Sequence, residues 1–527
     1  RAKESFASTI NHRLTLSRGI AFASPPAHRS RYSVVAKKIS SSTAFVFRAS
    51  LRIVMNLSSK SVWAQVVLTL SLCGCAIADQ QERVDLIVYG DYVLTKADED
   101  APLADGAIAI DANLIVAVGP RREIDARYVS ETRIDGHQRA VMPGLVNGHT
   151  HAAMTLLRGV ADDLQLMEWL TNYIFPAEIE VVDEAFVRVG TQLACWEMIE
   201  SGTTSFVDMY FFPETVSKVV EDCGLRAVVA PSVIEQQSPD ASDGETSLRQ
   251  ATDFVRRWQG KSERIVPAVG AHSVYTISES GLRKIADAAR EVNAPIAIHV
   301  SESLAEIDQI KSAYSKTPVE VLQMVGMLDQ PVIAAHVVHP SPDDIALLAR
   351  YGVGAIHNPT SNLKLSSGIA PVTELREGGV KVGLGTNGAA SNNDLDLWEE
   401  IRLAGLLAKG RSMAPTDLPA KTVLTLSTRE GAAAIGRDDR IGKLAVGMRA
   451  DLIQVDFSKT RHAPLYDIYS HLVYVADSTD VVTTIVDGQV LMSDRQIHTI
   501  DGSALAGEVQ HWRTRIAEAL NLPVTRP

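Results

Sequence analysis

The sequence predicts an α/β protein: a (β/α)8 TIM barrel carrying a small β-sandwich domain built from both chain ends. Three observations lead there. Eight short apolar runs lie between Val141 and Ile435, at 141–146, 204–208, 226–230, 265–270, 295–300, 331–336, 353–356 and 380–385. Amphipathic stretches of helical period separate most of them, as in parallel strands joined by helical crossovers. On both flanks the texture is all β, with short apolar runs between turn residues. Composition agrees: 527 residues, 46 % apolar and 22 % charged, is ordinary globular usage. It excludes a disordered or multi-span membrane chain. A net charge of −12 gives no reason to expect nucleic-acid binding. Four cysteines are too few for a disulfide scaffold.

From the N-terminus, residues 1–54 hold ten Lys/Arg against one acid, Glu4, and show no sustained period. The first methionine is Met55. Lys60, an apolar run from Val62 to Leu72, Leu72-Cys73-Gly74-Cys75 and Ala76-Ile77-Ala78 follow. Residues 55–78 therefore read as a secretory signal peptide, its apolar run too short to span a membrane as a stable helix. Ala-Ile-Ala suits signal-peptidase cleavage. Leu-Cys-Gly-Cys resembles a lipobox, which would put a lipid anchor at Cys75. On this reading the protein is exported to the periplasm, and residues 1–54 are a disordered, non-native leader. The rival reading of that leader is a mitochondrial-type transit peptide.

Residues 82–140 and 436–505 are expected to meet as one composite β domain, because isolated hairpins are marginal. Its strands are read at 85–89, 106–110, 114–118, 451–455, 472–475, 481–486 and 489–492, with turns at Gly90-Asp91 and 111–113. Residues 141–435 form the barrel. One of its helices covers 183–200 and ends at Ser201-Gly202. Another covers 342–350, with Ser341 as N-cap, Pro342 at its first position and Gly352 past its end. Residues 506–527 are read as a C-terminal helix. Cys195 and Cys223 read as buried thiols.

In such a barrel the chemistry sits at the C-terminal ends of the strands. The first run leads to His149-Thr150-His151, the fourth to His272, and the fifth to His299 with Glu302 just beyond. The sixth leads to His336 and His339, the seventh to His357 and the eighth to Asn387. Five strands ending in histidine, from only 14 histidines, is poorly explained by chance. Residues i and i+2 of a strand face one way, so His149 and His151 can grip one cation, with His299 as a third nitrogen. Neutral imidazole suits Zn²⁺ or Fe²⁺ better than Mg²⁺ or Ca²⁺. Three protein ligands leave room for a water, whose pKa the metal lowers to about 7. Singly, each feature is bland: a lone His-x-His is usually incidental, His299 alone a core histidine, Glu302 alone a solvated helix start. His339 and His357 read as structural.

These residues stand in longer motifs: Val141-Met-Pro-Gly-Leu-Val-Asn-Gly-His-Thr-His151, Leu166-Met-Glu-Trp-Leu170, His272-Ser-Val-Tyr275, His299-Val-Ser-Glu302, His336-Val-Val-His339, His357-Asn-Pro-Thr-Ser-Asn-Leu-Lys-Leu365 and Gly385-Thr-Asn-Gly-Ala-Ala-Ser-Asn-Asn393. As an ordered set over roughly 84–505 they resemble the amidohydrolase superfamily. The similar subgroup is that of S-adenosylhomocysteine/5-methylthioadenosine deaminases and triazine hydrolases. The resemblance implies one divalent metal, usually zinc, on His149, His151 and His299. It implies Glu302 as the acid at the ring nitrogen and His336 as the group that orients the attacking water. It implies substrate contacts at Glu168 (ribose), His272 and Ser391. The expected activity is hydrolytic deamination of an adenine nucleoside (adenosine, methylthioadenosine or adenosylhomocysteine) to the inosine analogue and ammonia, in a subgroup that leans towards homo-oligomers. The strand-8 position departs from the pattern. The family places a metal-ligating aspartate there, and this chain has Asn387, whose amide can offer oxygen to a metal but cannot act as a general base. Two alternatives follow: a hydrolase of a triazine or another aminated heterocycle, or a weakly active or inactive homologue that binds metal and nucleoside.

Overall fold

The structure, a computed structural model, describes residues 81–96 and 101–522. The leader at 1–54, the signal peptide at 55–78 and the anchor at Cys75 lie outside the described residues. Eight parallel strand positions follow in chain order: Leu145–Thr150, Thr203–Asp208, Arg226–Val229, Ile265–Pro267 with Val269–Ser273, Ile296–Val300, Val332–His336, Gly354–His357 and Lys381–Leu384. They hydrogen-bond as two arcs that share the third and fourth positions. The third resumes as Ser232–Val233 after Pro231, and the fourth breaks after Pro267, because proline donates no ladder hydrogen bond. The Asn387 N–H donates to the His149 carbonyl at 3.0 Å, and the Thr386 N–H to Asn147 Oδ1 at 3.1 Å. Those bonds join the eighth position to the first. Inside, Val146, Val207, Val228, Ala297, Ile333 and Ile356 cluster with Ala432, Ala434 and Ile441, so the interior is packed.

The run at 141–146 is two strands. Arg139–Pro143 pairs antiparallel with Leu452–Asp456 in the accessory sheet, and Leu145–Thr150 opens the barrel. Gly144 makes the passage, where a Cβ would lie 2.2 Å from the Thr204 side chain. That pairing is where the two chain ends meet. Nine accessory strands form one continuously hydrogen-bonded sheet, and Glu82–Arg83 with Tyr128–Val129 form a separate parallel pair. Both faces are covered: Val88, Ile108 and Ile110 pack in one cluster, Ile87, Ala107 and Ala109 in another.

Two local expectations are corrected. Gly90-Asp91 is no turn, since strand Leu86–Val93 runs straight through it. The apolar 472–475 run is not a strand but the end of helix Ile468–Tyr474, whose first turn Asp467 caps by accepting from the Ser470 N–H. Its buried residues, Ile468, Tyr469, Leu472 and Val473, have helical spacing that a four-residue window hides. The C-terminal helix spans Gly502–Ala519, starting four residues ahead of its expected position because Asp501 caps it. The helix expected at 183–200 is Glu184–Ser201, between an Asp183 cap and left-handed Gly202. The one expected at 342–350 is Pro342–Tyr351, with a capping box between Ser341 and Asp344. Among the described residues, no helix is long and apolar enough to cross a membrane.

A buried ion pair ties the barrel to the accessory sheet. Arg226 on the third strand donates to both carboxylate oxygens of Asp451, at 2.6 and 3.1 Å, and to Asp487 at 2.5 Å. Arg226→Ala strands a buried carboxylate and is expected to cost about 3–5 kcal/mol. Urea unfolding followed by circular dichroism measures it; an unchanged midpoint would show that the two parts are held by packing alone.

Candidate metal centre

Three imidazoles from two strands share one point at the barrel mouth. His149 and His151 leave the first strand two residues apart, and His299 leaves the fifth. Their ligand nitrogens all lie within 4.8 Å of one another. The Ala152 N–H donates to Asp208 at 2.7 Å, anchoring the turn after His151 to the second strand. His151 Nδ1 meets the Met209 carbonyl, and His299 Nδ1 the His272 carbonyl at 2.6 Å. A carbonyl only accepts, so each Nδ1 carries the proton and each Nε2 a bare lone pair. Those two Nε2 atoms face each other at 3.3 Å. His149 Nε2 is buried with no partner.

Two facing lone pairs and a third orphan in a buried cavity repel and stay unsatisfied unless a cation is shared. The donor set therefore fits a divalent metal. Burial holds all three rings neutral, the form that ligates: His149 and His299 far below the ordinary imidazole range, His151 down to about 4.

Glu302 and His336 border the same cavity. Glu302 is 2 % exposed, and burial pushes its carboxyl up to about 8. Its Oε1 has no hydrogen-bond partner and lies 3.6 Å from His336 Nδ1. His336 Nδ1 donates to Asn362 Oδ1 at 2.7 Å, so its unpartnered Nε2 is an acceptor. Glu306 folds back to take the Ser301 and Glu302 N–H groups at 2.9 and 2.7 Å, fixing the loop. Ser301, His336, Val337 and Asn387 all have φ between 45° and 75°. Left-handed backbone outside glycine costs about 1–3 kcal/mol per residue, and here it gathers around one cavity.

Asn387 lines the cavity, accepting the Gly388 N–H at 2.9 Å and donating through Nδ2 to Ser361 Oγ at 2.9 Å. Ser361 donates on to Ser391, which donates to the Gly388 carbonyl. Ser391, expected at the substrate, is thus behind Asn387 rather than in the wall. Glu168 is also outside the wall. On helix Leu166–Trp169, Leu166 and Trp169 face the cavity at i and i+3, while Glu168, at i+2, falls on the other face and is exposed. His272 does line the cavity, its Nδ1 3.0 Å from Thr276 Oγ1.

The sequence reading missed Glu178 in the wall. Burial raises its carboxyl to about 8, beside Tyr210. Its i, i+3 spacing from Phe175, also in the wall, was the available signal. An acid on an amphipathic helix ordinarily reads as solvent-facing. His357 is buried and His339 donates to the Ser367 carbonyl at 2.6 Å; neither lines the cavity.

His299→Ala is expected to lose at least tenfold in metal affinity, read by competition with a colorimetric chelator. Stripping the wild type should lower its Tm, since the metal binds only the folded chain. Retention of metal by the variant would displace the ion from this cluster.

The amidohydrolase family matches residues 140–491. A 5-methylthioadenosine/S-adenosylhomocysteine deaminase of Pelotomaculum thermopropionicum is 44% identical over 433 residues, 82% of this chain and 99% of that protein. A 5'-deoxyadenosine deaminase of Methanosarcina mazei is 44% identical over 438 residues, 83% of this chain and 99% of its own length. A zinc-bound adenosine deaminase from Xanthomonas campestris superposes with a TM-score of 0.81 at 36% identity, covering 83% of this chain and 100% of that one. Fold, nitrogen cluster and ordered motifs agree with this likeness over most of the chain, which belongs to the amidohydrolase family.

Proposed function

We propose that the protein is a metal-dependent hydrolase that removes the 6-amino group of an adenine nucleoside as ammonia, leaving the inosine analogue. One observation carries the reading: the buried carboxyl of Glu302, its Oε1 unpartnered, borders the cavity lined by His151 and His299 of the three-imidazole cluster. Breaking an aromatic C–N bond needs an acid at the ring nitrogen as well as an activated water. The relatives named above are deaminases of adenosine, 5'-deoxyadenosine or 5-methylthioadenosine/S-adenosylhomocysteine. The all-nitrogen donor set favours zinc. When bound, such an ion acidifies its water to a pKa of about 7.

The side chains then divide the work. Glu302, holding its proton at neutral pH, gives it to N1 of the purine and lets the ring accept electrons. His336 Nε2, a free acceptor, orients the incoming water towards C6. His272 and the apolar wall of Trp169, Leu170 and Phe175 hold the base. Asn387 can orient water but takes no proton, so turnover is expected about 10²–10⁴ below that of an aspartate site.

The 5′ side has a chemical bias. Neither the cavity wall nor the adjoining groove of Met167, Pro176, Ile179, Gln236 and Gln237 contains a Lys or Arg among the described residues; Glu235 sits there instead. An uncharged 5′ group, as in 5'-deoxyadenosine, is favoured over one ending in a carboxylate. The signal-like segment 55–78 supports export to the periplasm.

Ammonia release from a panel of adenine nucleosides tests the reading. Glu302→Gln should lower kcat by about 10²–10⁴ while keeping its metal. Because the protonated carboxyl is the active form, wild-type kcat/KM should fall as pH rises past about 8, and that limb should vanish in the variant. If Asn387→Asp releases no ammonia from any adenine nucleoside, the deaminase reading fails.

A further inference from the structure

We propose that Asn387 is a self-modification site: the Asn387-Gly388 pair loses ammonia through a cyclic imide and is left as an aspartate. The consequence for turnover rests on the deaminase reading; the conversion itself does not.

Position and contacts support it. The Gly388 N–H donates to Asn387 Oδ1 at 2.9 Å, so the side-chain amide lies against the nitrogen that must attack it once that proton is lost. Glycine has no Cβ to shield its nitrogen. Asn387 holds φ 61°, a left-handed conformation that asparagine and aspartate both tolerate. Its Nδ2, the leaving nitrogen, sits 2.9 Å from the Ser361 hydroxyl. The side chain borders the cavity, so water reaches Cγ.

The step balances. The Gly388 nitrogen loses its proton to water and bonds to Cγ. The Cγ–Nδ2 bond breaks, and Nδ2 takes a proton back from that water and leaves as ammonia. Water then adds to Cγ of the imide, the Cγ–N bond breaks and the Gly388 nitrogen regains its proton. One water enters, one ammonia leaves, and nothing is oxidised or reduced. The backbone carbonyl of residue 387 accepts the Thr386 hydroxyl at 2.9 Å, and Thr386 is fully buried. Water from the cavity therefore meets Cγ first, which yields an aspartate rather than an isoaspartate. The product fits without repacking, because the Ser361 hydroxyl can rotate to donate to a carboxylate.

The chain holds its own control. In the other Asn-Gly pair, Asn147-Gly148, the side-chain oxygen is held by other partners than the Gly148 N–H, the His149 N–H at 3.4 Å among them. Asn147 Oδ1 accepts the Thr386 N–H at 3.1 Å, Nδ2 donates to Thr386 Oγ1 at 2.8 Å, and the residue is fully buried outside the cavity wall.

The full chain is incubated at mildly alkaline pH in water enriched in heavy oxygen, then mapped by peptide mass spectrometry. The expected result is progressive exchange of amide for acid at residue 387 with one heavy oxygen gained, an aspartyl linkage and no change at residue 147. Ammonia release from adenosine should rise with the converted fraction, by about 10²-fold at completion. An amide that persists at 387, an isoaspartyl product, or equal conversion at both pairs overturns the proposal. The Asn387→Asp variant, assayed alongside, reads the deaminase function separately from the mass result.

Discussion

Everything at the barrel mouth depends on two nitrogen lone pairs that point at each other. The Met209 and His272 carbonyls fix the protons of His151 and His299 on the far side of each ring. What remains between the rings is a 3.3 Å acceptor–acceptor contact. In a protonated ring one nitrogen could donate to the other, but burial holds both rings neutral. A shared cation resolves the repulsion, and the buried Nε2 of His149 offers a third bond to it.

The fold creates this arrangement at a backbone cost. The barrel needs strands that end abruptly, and at the fifth, sixth and eighth positions the chain leaves through left-handed residues, Ser301, His336 with Val337, and Asn387. Each of these three exits supplies, or directly precedes, a side chain in the cavity wall: Glu302, His336 and Asn387. Bonds from elsewhere hold these exits: the Glu306 carboxylate at the fifth, Asn362 at the sixth, Ser361 and Ser391 at the eighth. The opposite end of the barrel is sealed by apolar packing, and Arg226 with Asp451 ties its wall to the accessory sheet.

Much of this was legible in the residues. Strand positions follow from short apolar runs between capped helices, and the metal cluster from an i, i+2 histidine pair with another strand-end histidine. What was not legible depended on three-dimensional neighbours. The 472–475 run has strand composition but lies on a helix, because the buried set begins at Ile468 and the cap at Asp467. Glu168 stood in a recognisable motif, yet helical spacing turns it outward. Glu178 stands in none of the motifs, and only the fold of helix Phe175–Val181 over the mouth makes it part of the wall. Ser391 reaches the substrate side only through Ser361 and Asn387.

At the eighth strand the chain has an amide, Asn387, where the resemblance implies a carboxylate, so the site lacks that negative charge and that base. Three neutral nitrogens nonetheless suffice for a tight divalent site. X-ray absorption at the metal edge of the purified protein tests that centre most directly. The account predicts a shell with three imidazole nitrogens at about 2.0–2.1 Å. A sulfur-containing or all-oxygen shell would contradict it.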